Sequence, residues 1–257
     1  MGVVGRSIMP GLSLLEDYVA AADSASSIPA LNRLTADAVH ALGFDFFGIV
    51  HHVTFGRPAA GYVGLHHYPD EWVAALRDLG RPADPVMRAA ERVAAGFRWD
   101  RMDSIIALTP RERRHMDSAA RHGVGGGFTV PNHVPGEVPG SSSFGLRLGR
   151  ELPERNLPAA QALGNFAFEA ARRLIRAGGP RWIAPVALSE RQRDCLLLAA
   201  QGKSDGVIAQ LLGIRPRTVN EHIEAAKRRY GVATRTQLLV RALLRGEICF
   251  ADVLDPR

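Results

Sequence analysis

A chain of 257 residues with 46% hydrophobic and 23% charged residues has the balance of a globular protein, which excludes extended disorder and favours two domains of unequal size. Its net charge of +6 fits a polyanionic partner, although many basic proteins bind no nucleic acid. The two cysteines, Cys195 and Cys249, have no metal-ligand spacing, so a disulfide framework and a structural zinc site are both disfavoured.

The first quarter of the chain predicts two helices followed by two strands. Apolar residues recur at helical spacing in residues 12–23 and again in residues 28–43. The segments FDFFGIVHHVTF and AAGYVGLHHY are rich in aromatic and β-branched residues, which is typical of strands, and the turn-forming cluster GRPAAG joins them. Neighbouring histidines in these strands lie on opposite faces, so no metal site is predicted there.

The middle of the chain continues this mixed pattern. One helix is predicted to begin at Pro69, with acidic residues in its first turn that oppose the macrodipole, and another at the capping box TPRE, residues 109–112. The strands GGFTVPNHV and GSSSFGLRLG precede a long amphipathic helix at residues 157–178. Because the strands are grouped between helices, we predict an α+β fold, an α/β/α sandwich on an antiparallel sheet.

A Gly- and Pro-rich segment after this helix indicates a linker. We therefore predict a first domain at residues 1–176, a linker at 177–187 and a second domain at 188–257. The positive charge is concentrated in the second domain: residues 188–257 contain 12 Lys and Arg against 8 Asp and Glu, a net charge of +4, whereas residues 1–187 contain 20 against 18, a net charge of +2.

The second domain is predicted to be all-α, with four short helices that include a helix-turn-helix. Ser189 with Gln192 and Thr234 with Gln237 form capping boxes, and a glycine follows each periodic run. The second and third helices are separated only by the segment GIR, a turn short enough for a helix-turn-helix.

The third of these helices has an apolar stripe and a polar face. The stripe consists of Val219, Ile223, Ala226 and Tyr230. The polar face mixes side chains that bond base edges with side chains that bond phosphates, as binding in the major groove requires, although any amphipathic helix has a charged, solvated face. The candidate DNA contacts on it are Arg217, Asn220, Glu221, Glu224, Lys227 and Arg228.

This domain resembles the DNA-binding domain of LuxR-type transcriptional regulators. The match comprises Leu188, Arg191, Leu196, Ala200, Gly202, Lys203, Ser204, Ile208, Ala209, Leu212, Gly213, Thr218, Val219, His222, Val232, Arg235 and Gln237. The departures from the family pattern are Gln192, Val207, Arg215, which replaces a Ser cap, and Tyr230, which replaces a Leu. The resemblance adds Lys203, Thr218 and Arg235 to the DNA contacts and implies a homodimer on an inverted-repeat site, with RNA polymerase as a further expected partner.

LuxR-type domains follow several kinds of sensor, so the first domain needs its own argument. A phosphorylated receiver requires a Lys that contacts the phosphoryl group, and residues 1–187 contain no Lys. The stretch YPDEWVAALRDLGRPADP, residues 68–85, instead resembles the pocket motif of acyl-homoserine-lactone receptors of quorum sensing, and Trp99 and GFTVP further along also match. The gap from Trp72 to Asp84 is one residue shorter than is usual in that family.

The resemblance implies a partner for each polar group of the ligand. An acyl-homoserine lactone carries carbonyls, an amide N–H and an apolar tail, and its polar groups need partners when they are buried. Trp72 would donate to the lactone carbonyl and Asp84 would accept from the amide N–H. Tyr68 and Ser143 would bond the acyl carbonyl.

Three further residues complete this candidate ligand site. Trp99 would wall the lactone end, Gly127 would allow a close backbone approach, and Leu76, where the family usually has Tyr, would change the width of the acyl channel. Structural roles are the alternative for each residue, because Trp and Tyr at helical spacing usually lie in a core and Asp84 could simply begin a helix.

These features predict a cytoplasmic, ligand-responsive transcriptional regulator that binds an N-acyl-homoserine lactone and DNA, and that needs no cofactor, metal or membrane. No apolar run reaches the roughly 18 residues of a membrane span. A ligand-independent or partner-regulated transcription factor is the alternative. A lactone-processing enzyme is disfavoured, because GSSSFG does not fit the G-x-S-x-G motif in any register.

Overall fold

A computed structural model describes residues 10–52, 62–79, 84–135, 137–178 and 187–254. The chain divides into two units, of which unit 1 comprises Met1–His133 with Val138–Trp182 and unit 2 comprises Val134–Glu137 with Ile183–Arg257. None of the helices within the described ranges has the length and apolar character that crossing a membrane requires. The expected turn GRPAAG and most of the expected linker at 177–187 lie outside the described residues.

In the described residues of unit 1, helices combine with a five-stranded sheet. Its helices are α1 (Pro10–Ser24), α2 (Ile28–Ala41), α3 (Asp70–Leu79), α4 (Pro85–Ala90), α5 (Pro110–Arg121) and α6 (Leu157–Gly178). Its strands are β1 (Phe46–His51), β2 (Gly64–His67), β3 (Phe97–Arg98), β4 (Val124–Asn132) and β5 (Gly140–Arg147). Short 3-10 helices occupy Trp99–Ser104 and Glu154–Asn156.

The sheet has the strand order β2-β1-β5-β4-β3, and every neighbouring pair is antiparallel. Helices α2 and α6 pack on one face, with α1 against both of them, while α4 and α5 contact β4 or β5 from the other face. This arrangement confirms the predicted α/β/α sandwich. Helix α6 runs through Gly178, so its end falls inside the segment expected to be linker.

The side chains of β5 alternate between the two faces, as strand geometry requires. Ser142 donates a hydrogen bond of 2.9 Å to the carbonyl of Gly164 in α6, and Phe144 also lies on that side. Ser141 and Ser143 therefore lie on the opposite face. That face, covered by α3, α4 and α5, carries the candidate ligand site.

The local signals read from the sequence mostly set the ends of the helices. Thr109 and Glu112 form the predicted capping box of α5, and Gly43 and Gly123 take positive φ angles of 91° and 83° just after α2 and α5. Helix α4 and strand β3 were not predicted. Asp84 caps α4, so the structural alternative for this residue is realised.

Residues 187–254 of unit 2 contain the predicted four helices, α7 (Glu190–Ala200), α8 (Asp205–Leu212), α9 (Pro216–Tyr230) and α10 (Arg235–Leu244), followed by a fifth, α11 (Phe250–Leu254). Both capping boxes are present, and Gly213 and Gly231 end α8 and α9 in the left-handed conformation. The stripe predicted for α9 is buried. Tyr230, which ends it, is covered by the Arg245 guanidinium, 5.0 Å from the ring centroid.

Candidate functional site

Aromatic residues of the predicted ligand site lie together in one hydrophobic cluster. Trp72 of α3, which is 5% exposed, is buried with Phe46 of β1. Tyr68, Leu76 and Trp99 pack against the same cluster. Tyr68 stacks on Phe46, with the ring centroids 5.7 Å apart. The helical spacing of Trp72 and Leu76 places both residues against this cluster.

Trp72 and Asp84 both flank one buried histidine. The ring of His115 meets the Trp72 indole edge-on, with the centroids 5.3 Å apart, and its Nε2 lies 4.0 Å from Oδ1 of Asp84. The indole N–H of Trp72 donates to no residue within the described part of the chain. The indole of Trp72, a donor on α3, and the carboxylate of Asp84, an acceptor at the start of α4, therefore both lie next to the His115 ring.

The two carboxylate oxygens of Asp84 differ in their hydrogen bonds. Oδ1 accepts hydrogen bonds from the backbone N–H groups of Val86, at 2.9 Å, and Met87, at 3.4 Å. Oδ2 has no hydrogen bond to any described residue. The helix cap therefore fixes the orientation of the carboxylate and leaves its second oxygen as an acceptor.

Tyr68 keeps the proton of its hydroxyl and can therefore donate a hydrogen bond. Burial raises the pKa of its phenol, and the negative charge of Asp84 raises this pKa further. The hydroxyl therefore stays protonated at neutral pH. It makes no hydrogen bond with the described residues.

Ser143 belongs to a hydrogen-bonded relay that starts at Trp99. The Trp99 indole N–H donates to Oγ1 of Thr129 at 2.8 Å, and that oxygen lies 2.9 Å from Oγ of Ser143. When the Thr129 hydroxyl donates to Ser143, the proton of Ser143 is left for another acceptor. Because the indole N–H of Trp99 is already used, Trp99 can contribute to a ligand site only with its ring.

Gly127 is required by the approach of Trp99. A Cβ atom at this position would lie 2.5 Å from the Phe144 carbonyl oxygen and 2.9 Å from the Trp99 ring. The close approach predicted at Gly127 is therefore made by the Trp99 side chain and the neighbouring strand.

Two residues around this site were not among the sequence candidates. Thr129 lies inside the quoted GFTVP motif, so its signal was present. His115 is 4% exposed, and its Nδ1 is buried without a hydrogen-bond partner in the described chain. Its one sequence signal is its position three residues after Glu112, on the side of α5 that faces the core.

The polar face of α9 carries the predicted DNA-contact residues, and several of its charges are paired with each other. Arg217 donates to Glu221 at 3.1 Å, and Lys227 donates to Glu224 at 2.8 Å. Asn220 and Arg228 are exposed and have no side-chain hydrogen bond to any described residue. Thr218 is half-buried in the first turn of the helix.

The predicted DNA contacts outside α9, Lys203 and Arg235, have different surroundings. Lys203 is exposed just before α8. Arg235 donates to Asp205 at 2.8 Å, which ties the start of α10 to the start of α8. Arg215 occupies the N-cap of α9 without a side-chain cap bond, as its replacement of Ser implies.

Comparison with known proteins finds a matching family for each of the two parts of the chain. Residues 27–171 match the family described as autoinducer binding domain, and residues 186–242 match the family described as bacterial regulatory proteins, luxR family. The transcriptional activator protein AhyR of Aeromonas hydrophila is 29% identical over 241 residues, which cover 91% of this chain and 90% of AhyR. The transcriptional activator protein BjaR1 of Bradyrhizobium diazoefficiens is 30% identical over 220 residues, covering 82% and 89%.

A solved structure shows the same fold. The crystal structure of Escherichia coli SdiA covers 92% of this chain and 98% of its own, with a TM-score of 0.66 at 22% identity. The domains and relatives are those of transcriptional regulators and not of enzymes. The chain belongs to the LuxR family of quorum-sensing transcriptional regulators, with an autoinducer-binding domain for a small molecule followed by a helix-turn-helix domain for DNA.

Proposed function

We propose that the small molecule is an N-acyl-homoserine lactone, bound on the face of the sheet that α3, α4 and α5 cover. The observation that carries this proposal is a set of polar groups without partners in the described chain: the N–H of Trp72, the hydroxyl of Tyr68 and Oδ2 of Asp84. Two donors and one acceptor around one aromatic cluster complement two carbonyls and one amide N–H.

Energetics support a ligand for these groups. A buried polar group without a partner costs about 1–3 kcal/mol. A lactone that covers these groups would bury them, and by accepting from Trp72 and Tyr68 and donating to Asp84 it would supply the partners that avoid this cost. Ser143 adds a donor to the acyl carbonyl if its proton is released by the relay from Thr129.

The proposed DNA site is an inverted repeat read by a homodimer. A symmetric dimer presents its two copies of α9 to two half-sites, which is why a helix-turn-helix regulator of this kind is expected to bind (pseudo)palindromic DNA. We place this activity in the cytoplasm, with RNA polymerase as the protein partner at the promoter. The exposed Asn220 supplies base reading, and Lys203 and Arg228 supply phosphate contacts.

Asp84→Asn tests the ligand assignment. Asn is as good an N-cap as Asp, so α4 should persist, while the amide presents a donor or an acceptor where the ligand N–H needs an acceptor. Affinity for a panel of acyl-homoserine lactones, measured by isothermal titration calorimetry, should fall at least tenfold with an unchanged circular dichroism spectrum. Wild-type affinity in Asp84→Asn would show that Oδ2 does not contact the ligand.

A regulator controlled by a protein partner is the second candidate. The packing of Trp72 and Asp84 against the buried His115 is also the packing of an ordinary hydrophobic core, which needs no ligand. Mass spectrometry of small molecules that co-purify with the protein separates the two candidates. An intact lactone is expected. Its absence from protein produced in a lactone-making host, together with a stably bound polypeptide, would favour partner control.

A further inference from the structure

Ser141, His52 and Glu91 form a hydrogen-bonded chain on the ligand face of the sheet. Oγ of Ser141 lies 2.9 Å from Nε2 of His52, and Nδ1 of the same imidazole lies 2.9 Å from Oε1 of Glu91. Ser141 and His52 are 1% and 0% exposed, whereas the Glu91 side chain is 39% exposed. The neighbours of Ser141 on the adjacent strands, Val50 and Pro131, are apolar.

This chain lies at the opposite end of the face from the lactone-binding groups. Ser141 precedes Ser143 by two positions on the same side of β5, a distance of about 7 Å at the usual rise of a strand. Helix α4 connects the two ends of this face: Asp84 caps its start near the lactone-binding groups, and Glu91 caps its end near His52 and Ser141. In the proposed binding mode, with the lactone at Trp72 and the acyl carbonyl at Ser143, the acyl tail extends toward Ser141.

The carboxylate of Glu91 determines which hydrogen-bonding role Ser141 plays. An ionised carboxylate only accepts, so Nδ1 of His52 carries the proton. In the tautomer that donates from Nδ1 to Glu91, Nε2 is an acceptor, and Ser141 donates its single proton to it at 2.9 Å. The lone pairs of Ser141 then remain as an acceptor at the tail end of the site.

From this geometry we infer that the acyl tail carries a hydroxyl group, or another hydrogen-bond donor, which Ser141 accepts. The inference rests on the proposed lactone function and deepens it. An extended chain advances about 3.5 Å for every three bonds, so the donor lies about six bonds from the acyl carbonyl carbon. A purely hydrocarbon tail would leave the lone pairs of Ser141 unpaired in an apolar site.

Matched lactones test this specificity with the full-length protein. N-(6-hydroxyhexanoyl)-homoserine lactone differs from N-heptanoyl-homoserine lactone by a hydroxyl in place of the terminal methyl. N-(6-methoxyhexanoyl)-homoserine lactone carries at the same position an ether oxygen that accepts but cannot donate. Wild-type protein should prefer the hydroxyl ligand to both others in titration calorimetry. In Ser141→Ala the hydroxyl-to-heptanoyl preference should fall about tenfold, the value of one lost hydrogen bond.

Two further variants keep the test informative. Ser13→Ala, at an exposed position of α1, should keep the wild-type ratios. His52→Leu frees the Ser141 proton, so the preference for hydroxyl over ether should decrease while Ser141 remains. Equal ratios in wild type, Ser141→Ala and His52→Leu would overturn the inference, provided the lactones bind. Binding of no lactone to wild-type protein would overturn the proposed function as well.

Discussion

Glu112 joins α5 to α4 through one carboxylate. It accepts from Nε of Arg88 at 2.6 Å and from Nη2 at 2.8 Å, and it also accepts from the backbone N–H and hydroxyl of Thr109, each at 2.8 Å. The hydrogen bonds from Arg88 are the main cause that lowers the pKa of Glu112 from 4.5 to about 2, with those from Thr109 adding to it against the effect of burial. The ionised form therefore stabilises the folded state.

The pH dependence of stability follows from the direction of this shift. Because the folded pKa is depressed, the contribution is complete above pH 4.5 and is lost as the pH falls from 4.5 toward 2. Glu112→Gln should lower the free energy of unfolding of unit 1 at pH 7 by on the order of 2 kcal/mol and flatten its pH dependence in that window. Urea unfolding at a series of pH values measures both effects. Glu16→Gln, at an exposed position of α1 in the same unit, is the control, and an equally large change there would refute the assignment.

At the scale of elements, strand β4 depends on Gly127. Alanine there would bring Cβ within 2.5 Å of a backbone oxygen, whereas a Cβ at the neighbouring Gly126 would meet nothing within 4 Å. Gly127→Ala should destabilise unit 1 by about 1–3 kcal/mol, as overpacking does, and displace Trp99 from Thr129. Thermal unfolding and Trp fluorescence measure the two effects. Gly126→Ala is the matched control, and similar losses in both variants would show that strand propensity alone is responsible.

Helix α9 separates base reading from phosphate binding along its polar face. Asn220→Ala should relax sequence preference at one base pair by about 1–3 kcal/mol, whereas Arg228→Ala should weaken binding to all duplexes and reduce the salt slope by about 1. Lys227→Ala should show a smaller loss than Arg228→Ala, because Lys227 is already paired with Glu224. Fluorescence anisotropy over a salt series with operator and scrambled duplexes distinguishes these effects. A change in specificity from Arg228→Ala, with none from Asn220→Ala, would reverse the assignment.

The elements that the sequence predicted are those with local signals. The capping boxes at Thr109, Ser189 and Thr234 and the stripe of α9 depend on residues a few positions apart. Strand β3, with 2 residues, and helices α4 and α11, with 6 and 5, are too short to show a period. The motif residues Tyr68 and Trp72 were found by resemblance. The pairing of Ser141 with His52 joins residues 89 positions apart, and no local pattern marks such a contact.

At the scale of the whole molecule, ligand binding and DNA binding belong to different units. The lactone candidates lie in unit 1, and the DNA candidates lie in unit 2, where residues 188–257 carry the net charge of +4. A ligand that binds only the folded form of unit 1 stabilises that unit by linkage. The response of each unit to the ligand is therefore a test of this division.

Differential scanning calorimetry of the full-length protein makes the test directly. At a ligand concentration about a thousand times Kd, the stabilisation is about 4 kcal/mol, which for a domain of this size raises Tm by roughly 10 °C. The transition of unit 1 should move by this amount, while the transition of unit 2 stays in place until operator DNA is added. Asp84→Asn should abolish the lactone shift and keep the DNA shift, because α9 is untouched. Equal lactone shifts in both transitions would mean that the two units unfold as one, and no shift at any concentration would mean that the aromatic cluster of unit 1 is a core and not a ligand site.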